Sequence, residues 1–207
     1  MTRSRLIADL NGMGVAEHSA VMVHTSMSAI GWVVRGASTL INAPVSVLGP
    51  TGTVMVLTGW EDRPPYHQGE WNNAERTAYL EECPHFDPRV SRAEVAHGPL
   101  PEAVRTWPRA RHSAHPVDAF ASIGADAAWL VSGQSLDEGY GTNSPLARLV
   151  KRDGSVLLLG APLDSVTLLH YAEYLATAGP KRWNEYKVLS TCACPQGYRQ
   201  QSSRQTF

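Results

Sequence analysis

Cysteine is scarce: Cys83, Cys192 and Cys194 make an odd set, the last two separated by one residue. That pattern builds no disulfide framework, which sets aside the small cross-linked secreted domains and makes the cytosol the expected compartment. An excess of one charge is missing too. Eighteen Lys and Arg stand against 19 Asp and Glu, for a formal net charge of −1. No global field therefore draws in nucleic acid or an acidic membrane, although a local acidic patch is still able to steer a cation. Nor is there an apolar run of transmembrane length, and Asp9 and Asn11 interrupt what would be a leader's apolar core. The expectation is a soluble, unexported protein.

Several catalytic signatures are absent as well. There is no Cys-x-x-Cys or His-Glu-x-x-His, and Pro116 argues against a helix carrying His112 and His115, so no metal is expected. No Gly-x-Ser-x-Gly occurs, and Cys83 has no activating neighbours in sequence. Gly49-Pro-Thr-Gly52 is not followed by Gly-Lys-Ser/Thr, so it is no nucleotide loop.

What is present suits one domain of ordinary composition, with 207 residues of which 43% are hydrophobic. Thr2 or Ser4 caps a helix to Leu10, and Ser38 one to Leu48 that contains Pro44. Further helices are expected over Ala74–Glu82, Pro101–Trp107, Ala125–Ser132 and Ser144–Lys151. Apolar runs at Ala20–His24, Thr53–Thr58, Ala119–Ile123 and Val156–Leu159 read as strands. Strands alternating with helices predict a single layered α/β/α domain over residues 1–189, with a mixed, partly parallel central sheet.

The stretch Ser155–Glu173 organises the rest. A strand buried on both faces is broken at Gly160-Ala161-Pro162, and Asp164 or Ser165 then caps a helix reaching Gly179-Pro180. On that helix Thr167, His170 and Glu173 recur every third residue and so lie near one face. An imidazole titrates near neutrality, which suits a proton acceptor, and His170 is the candidate base. Glu173 either orients the ring or decorates the helix. Thr167 either offers its hydroxyl to a reacting oxygen or satisfies a backbone carbonyl. Residues 59–73 mix Trp60, Glu61, Asp62, Tyr66 and Glu70 with proline turns and show no period, as functional loops do.

Val156-Leu-Leu-Leu-Gly160 followed by Asp164-Ser-Val-Thr-Leu-Leu-His170-Tyr-Ala-Glu173 resembles the signature of the aminoglycoside 3-N-acetyltransferases. Further blocks match in the same order: Val23-His-Thr-Ser-Met-Ser-Ala-Ile-Gly31, Leu48–Val54, Leu57-Thr-Gly-Trp60, Ser113-Ala-His-Pro116 and Ser144–Leu149. The resemblance covers residues 5–188 and implies transfer of an acetyl group from acetyl-CoA to the 3-amino group of an aminoglycoside antibiotic, conferring resistance. It also implies that His170 acts as the base. It places coenzyme A on the loop of Ser26, Ser28, Gly31, Trp32 and Val33, and near Ser113 and His115. Small residues there let backbone N–H groups approach the ligand. An aminoglycoside is a polycation, and Trp60, Glu61, Asp62 and Tyr66 offer the rings and carboxylates it requires. No nucleic acid or membrane partner is implied, and the expected state is a monomer or homodimer.

From Ser190 the apolar period disappears, and residues 190–207 read as a flexible tail. Members of the resembled family continue for several dozen residues, with carboxylates that help form the substrate pocket. The expectation is therefore an incomplete C-terminal part, whether by truncation, altered reading frame or nature. The alternative function is a non-catalytic binder of acetyl-CoA or an aminoglycoside.

Overall fold

The structure is a computed structural model that describes residues 1–63, 72–176, 183–190 and 199–206. It begins with a helix, α1 (Arg3–Gly12), whose N-cap Thr2 accepts a hydrogen bond from the Arg5 N–H. Strand β1 (Ala20–Thr25) leads through the short helix α2 (Met27–Ile30) into α3 (Ala37–Leu48) and β2 (Thr53–Leu57). Next come α4 (Asn73–Glu82), α5 (Pro99–Arg105), β3 (Arg111–His112) and β4 (Phe120–Gly124). Helices α6 (Ala127–Leu130) and α7 (Pro145–Lys151) precede β5 (Ser155–Leu159) and α8 (Leu168–Leu175).

The sheet runs β3-β4-β2-β1-β5. Strand β1 is parallel to β2 and β5, while β4 is antiparallel to β2 and β3. This is the mixed, partly parallel sheet expected from the sequence. Side chains alternate across it. Val21 and Val23 of β1, with Val54, Val56 and Leu157, pack beneath Leu6, Leu10, Leu40, Leu100 and Val104 of α1, α3 and α5. Ala20, Met22 and Met55 face the other way, onto Leu130, Leu146 and Leu149, with Leu168 of α8 alongside. Two covered faces make the α/β/α layering.

Helix α3 runs unbroken through Pro44, which is buried. Helix α5 starts at Pro99, two residues before the expected Pro101, and α6 is only Ala127–Leu130 instead of Ala125–Ser132. The segment after β5 also departs from expectation. A 3-10 turn, Leu163–Ser165, precedes α8, because Val166 is extended and restarts the helix at Leu168. Residues 177–182, including the expected stop at Gly179-Pro180, lie outside the described residues.

The backbone of Trp183–Ser190 pairs antiparallel with Arg199–Thr206, from Trp183 opposite Thr206 to Ser190 opposite Arg199. Arg199–Thr206 lies within the stretch expected to be a flexible tail. Ladder hydrogen bonds are made by the main chain, which needs no apolar period to pair. No helix among the described residues is long and apolar enough to cross a membrane.

Candidate active site

Parallel β1 lies between β2 and β5, and the chain leaves β1 and β5 toward opposite faces of the sheet. Crevices of this kind, outside the carboxyl ends of parallel strands, are where α/β sheets hold ligands. Here the loops after β1 and β5 are tied directly: the Ser26 N–H donates to the Leu159 carbonyl at 3.0 Å. Gly160 has a positive φ of 69°, and a Cβ there would press on the Ser26 carbonyl, Ile30 and Ala29. Between the loops opens a cavity of about 420 Å³ whose wall includes His24, Thr25, Ser26, Arg63, His97, Tyr140, Thr167 and His170.

His170 stands in the first turn of α8, partly exposed. Its Nδ1 is 2.8 Å from Glu173 Oε2, one turn further along the same face. The Tyr140 ring stacks on the imidazole, with centroids 5.0 Å apart and planes 15° from parallel. Tyr140 is itself met edge-on by the buried Phe120, at 6.4 Å. The imidazole is thereby fixed by a carboxylate at one edge and by an aromatic face. Thr167 is the N-cap residue of α8 and buried, but its side chain makes no capping bond.

Ser26 lines the cavity, and its Oγ lies 3.0 Å from that of the exposed Ser28. Gly31 is exposed, Trp32 is 79% exposed and Val33 is buried in the core. Ser113 and His115 are instead interior. Ser113 Oγ accepts from the Phe120 N–H, and His115 Nδ1 accepts from the N–H groups of Val117 (3.2 Å) and Asp118 (2.9 Å). That leaves the His115 ring neutral with its proton on Nε2. Burial lowers its pKa against the opposing pull of the Asp118 carboxylate. The turn it shapes positions the loop carrying Tyr140. Gln134 Nε2 donates to the carbonyls of Asp118 (2.9 Å) and Gly139 (2.8 Å), and a Cβ on Gly139 would overlap the Asp118 carboxylate. In this structure the Ser113–His115 block therefore reaches the site through Tyr140.

The loop residues expected to meet a polycation are scattered. Trp60 is 1% exposed and packs on Phe86. Glu61 is exposed and its Oε2 accepts from the Val95 N–H, while the Asp62 carbonyl accepts from the Tyr79 hydroxyl. Tyr66 and Glu70 lie outside the described residues. In their place Arg63 reaches the cavity, held by Glu94 through bonds of 2.9 and 2.8 Å. Burial pushes the Glu94 pKa up, but the Arg63 guanidinium pulls it below the ordinary carboxylate value. Sequence reading missed Arg63, Glu94, His97, His24 and Tyr140. Only His24 had a usable signal, as the first polar residue at the end of a buried strand. Among the described residues no group of three or more His, Cys, Asp or Glu is placed to hold a metal.

Residues 22–203 match the family model described as aminoglycoside 3-N-acetyltransferase. Aminoglycoside N(3)-acetyltransferase VII of Streptomyces paromomycinus is 46% identical over 187 residues, which are 90% of this chain and 65% of that protein. Among solved structures, AAC-IIIb in binary complex with CoASH superposes with a TM-score of 0.90 at 40% identity, covering 100% of this chain and 76% of that one. AAC-VIa bound to sisomicin gives a TM-score of 0.91 at 35% identity, covering 100% and 76%. A matching family model over most of the sequence, a shared fold and collinear blocks from β1 to α8 lead to one conclusion: this chain belongs to the aminoglycoside 3-N-acetyltransferase family.

Proposed function

We propose that the chain transfers the acetyl group of acetyl-CoA to the 3-amino group of an aminoglycoside, with His170 as general base, and so confers resistance. The observation that carries this is the His170–Glu173 pair, stacked on Tyr140, at the wall of the cavity between the β1 and β5 loops. An amine attacks only through its lone pair, so a proton must leave it. With Nδ1–H donating to Glu173, the lone pair for that proton is on Nε2 of His170. The amine nitrogen bonds to the thioester carbon, the C–S bond breaks, and the proton held by His170 passes to the departing thiolate. Glu173 and the Tyr140 face stabilise the intervening imidazolium. The Thr167 hydroxyl, free of capping duty, is available to the carbonyl oxygen as it gains charge. Ser26 and Ser28 bind coenzyme A at the mouth of the cavity. The solved relative with CoASH supports the acyl donor, and the one with sisomicin supports the acceptor class.

Calorimetry with acetyl-CoA and with sisomicin, combined with a thiol-release assay, tests the reading. Binding of both with CoA release is expected. Binding without release would make the chain a non-catalytic binder, and neither binding nor release would contradict the proposal altogether.

A further inference from the structure

Helix α8 carries His170, yet its own burial does little to hold it. It is eight residues long, too short to be stable alone, and none of Leu168–Leu175 is buried. Leu168 and Tyr171 rest against the core layer that contains Leu146 and Leu149. Further ties join α8 to the loop 138–142, and they run in both directions. From the loop, Tyr140 stacks on His170. From the helix, the Tyr174 hydroxyl donates to the Glu138 carboxylate and accepts from the Thr142 hydroxyl. Residues 170 and 174 are one helical turn apart, so both meet the loop along one face of α8. The chain between the loop partners is drawn in close. The Gly141 N–H donates to the Glu138 carbonyl at 2.9 Å, and a Cβ on the buried Gly141 would lie 2.8 Å from Glu138 Oε2 and 3.2 Å from the Tyr174 ring.

We propose that Tyr174 is a positioning residue for His170: through Glu138 and Thr142 it docks α8 on the Tyr140 loop and so sets where the imidazole stands. This rests on the acetyltransferase reading. Neither Tyr174 nor Glu138 lines the cavity, so their effect on the reaction passes through α8 and not through a contact with substrate. The two ties are reciprocal. The loop's ring holds the helix's imidazole, and the helix's phenol holds the loop's carboxylate, which fixes the spacing between Tyr140 and His170. Releasing the phenol frees α8 to tilt about its packed residues Leu168 and Tyr171, and the ring of His170 moves with it. A base misplaced by about 1 Å loses about 10²-fold in rate, and the loss of one tie among several moves it less.

Steady-state CoA release from acetyl-CoA and sisomicin tests this in the full chain. Tyr174→Phe keeps the ring and loses the hydroxyl. It should lower kcat about three- to tenfold, while KM for both substrates and the denaturation midpoint stay near the parent's. Glu138→Ala should match it, and the double variant should be no slower than either single one, because the two residues act as one unit. Glu138→Gln, whose amide oxygen still accepts from Tyr174, should recover most of the loss. In ¹⁵N spectra of the histidine rings, the His170 signals, assigned by their absence in His170→Ala, should broaden or shift in Tyr174→Phe. A parent-like kcat or unmoved His170 signals in Tyr174→Phe would overturn the inference and leave the acetyltransferase reading standing. So would additive losses in the double variant, or a raised sisomicin KM in Glu138→Gln, which would make Glu138 a direct contact of the cation. If the parent chain releases no CoA, that reading fails and this inference fails with it. Should Glu138→Ala not fold, Tyr174→Phe and Glu138→Gln still decide.

Discussion

A base that takes a proton from an amine must hold its ring still and tolerate the positive charge it acquires. For His170 as the proposed base, both requirements would fall to Glu173 and Tyr140, which were differently visible in the sequence. The spacing of His170 and Glu173 on one helix face was legible, because it depends only on the period of α8. Tyr140 was not, since it arrives from a loop 30 residues earlier, placed by the buried His115 turn and the Gln134 hydrogen bonds. Removing the stack tests its part. Tyr140→Phe keeps the ring and should retain most of the turnover, whereas Tyr140→Leu should lower kcat by about two- to fivefold, as loss of a cation–π contact to a partly exposed imidazolium would. Steady-state kinetics of both variants checks this. Equal kcat values would show that the stack serves packing alone.

Elements were read well where a local rule decides them and poorly where neighbours do. Thr2, Ser144 and the apolar run of β1 announced their structures, and Asn72 and Glu75 form a full capping box. The late start of α8 was not legible, because nothing in the local sequence marks Val166 as extended. The burial of Trp60 was not legible either: its stretch has the composition of a binding loop, and its ring fills the space beside Phe86. Pro44 is the sharpest local conflict. It lies inside α3, leaving the Leu40 carbonyl without its i+4 donor, a defect of about 3 kcal/mol in a helix interior. Pro44→Ala restores that bond but buries about two fewer CH₂ groups, each worth about 0.8 kcal/mol. The net expectation is stabilisation by about 1 kcal/mol, read from the denaturant midpoint. A lower midpoint would mean that the ring's packing outweighs the missing bond.

At the scale of the whole molecule, the layered class could be read from alternating strands and helices, but the strand order could not. Nothing local says that β4 joins β2 antiparallel or that β1 sits between β2 and β5, and it is this order that opens the cavity. The fold also confines histidines that must stay neutral, which sets a pH dependence. His24, at about 4, and His115 both have pKa values below the unfolded value of 6.5, so the unfolded chain binds more protons on acidification. Stability should be flat above about pH 7 and decline as pH falls through 6.5 toward 4, with His24 alone contributing on the order of 2–3 kcal/mol. Glu94 and Glu102, whose pKa values are lowered, add a further loss at more acidic pH. Denaturation midpoints between pH 4 and 8 would show this slope, reduced in His24→Phe; a flat profile would contradict it. Whether His170 is the base of an acetyl transfer is decided by the rate of CoA release from acetyl-CoA and sisomicin in the parent chain and in His170→Ala. A fall of about 10²–10⁴-fold is expected, with acetyl-CoA affinity unchanged. Equal rates in the two proteins would contradict it.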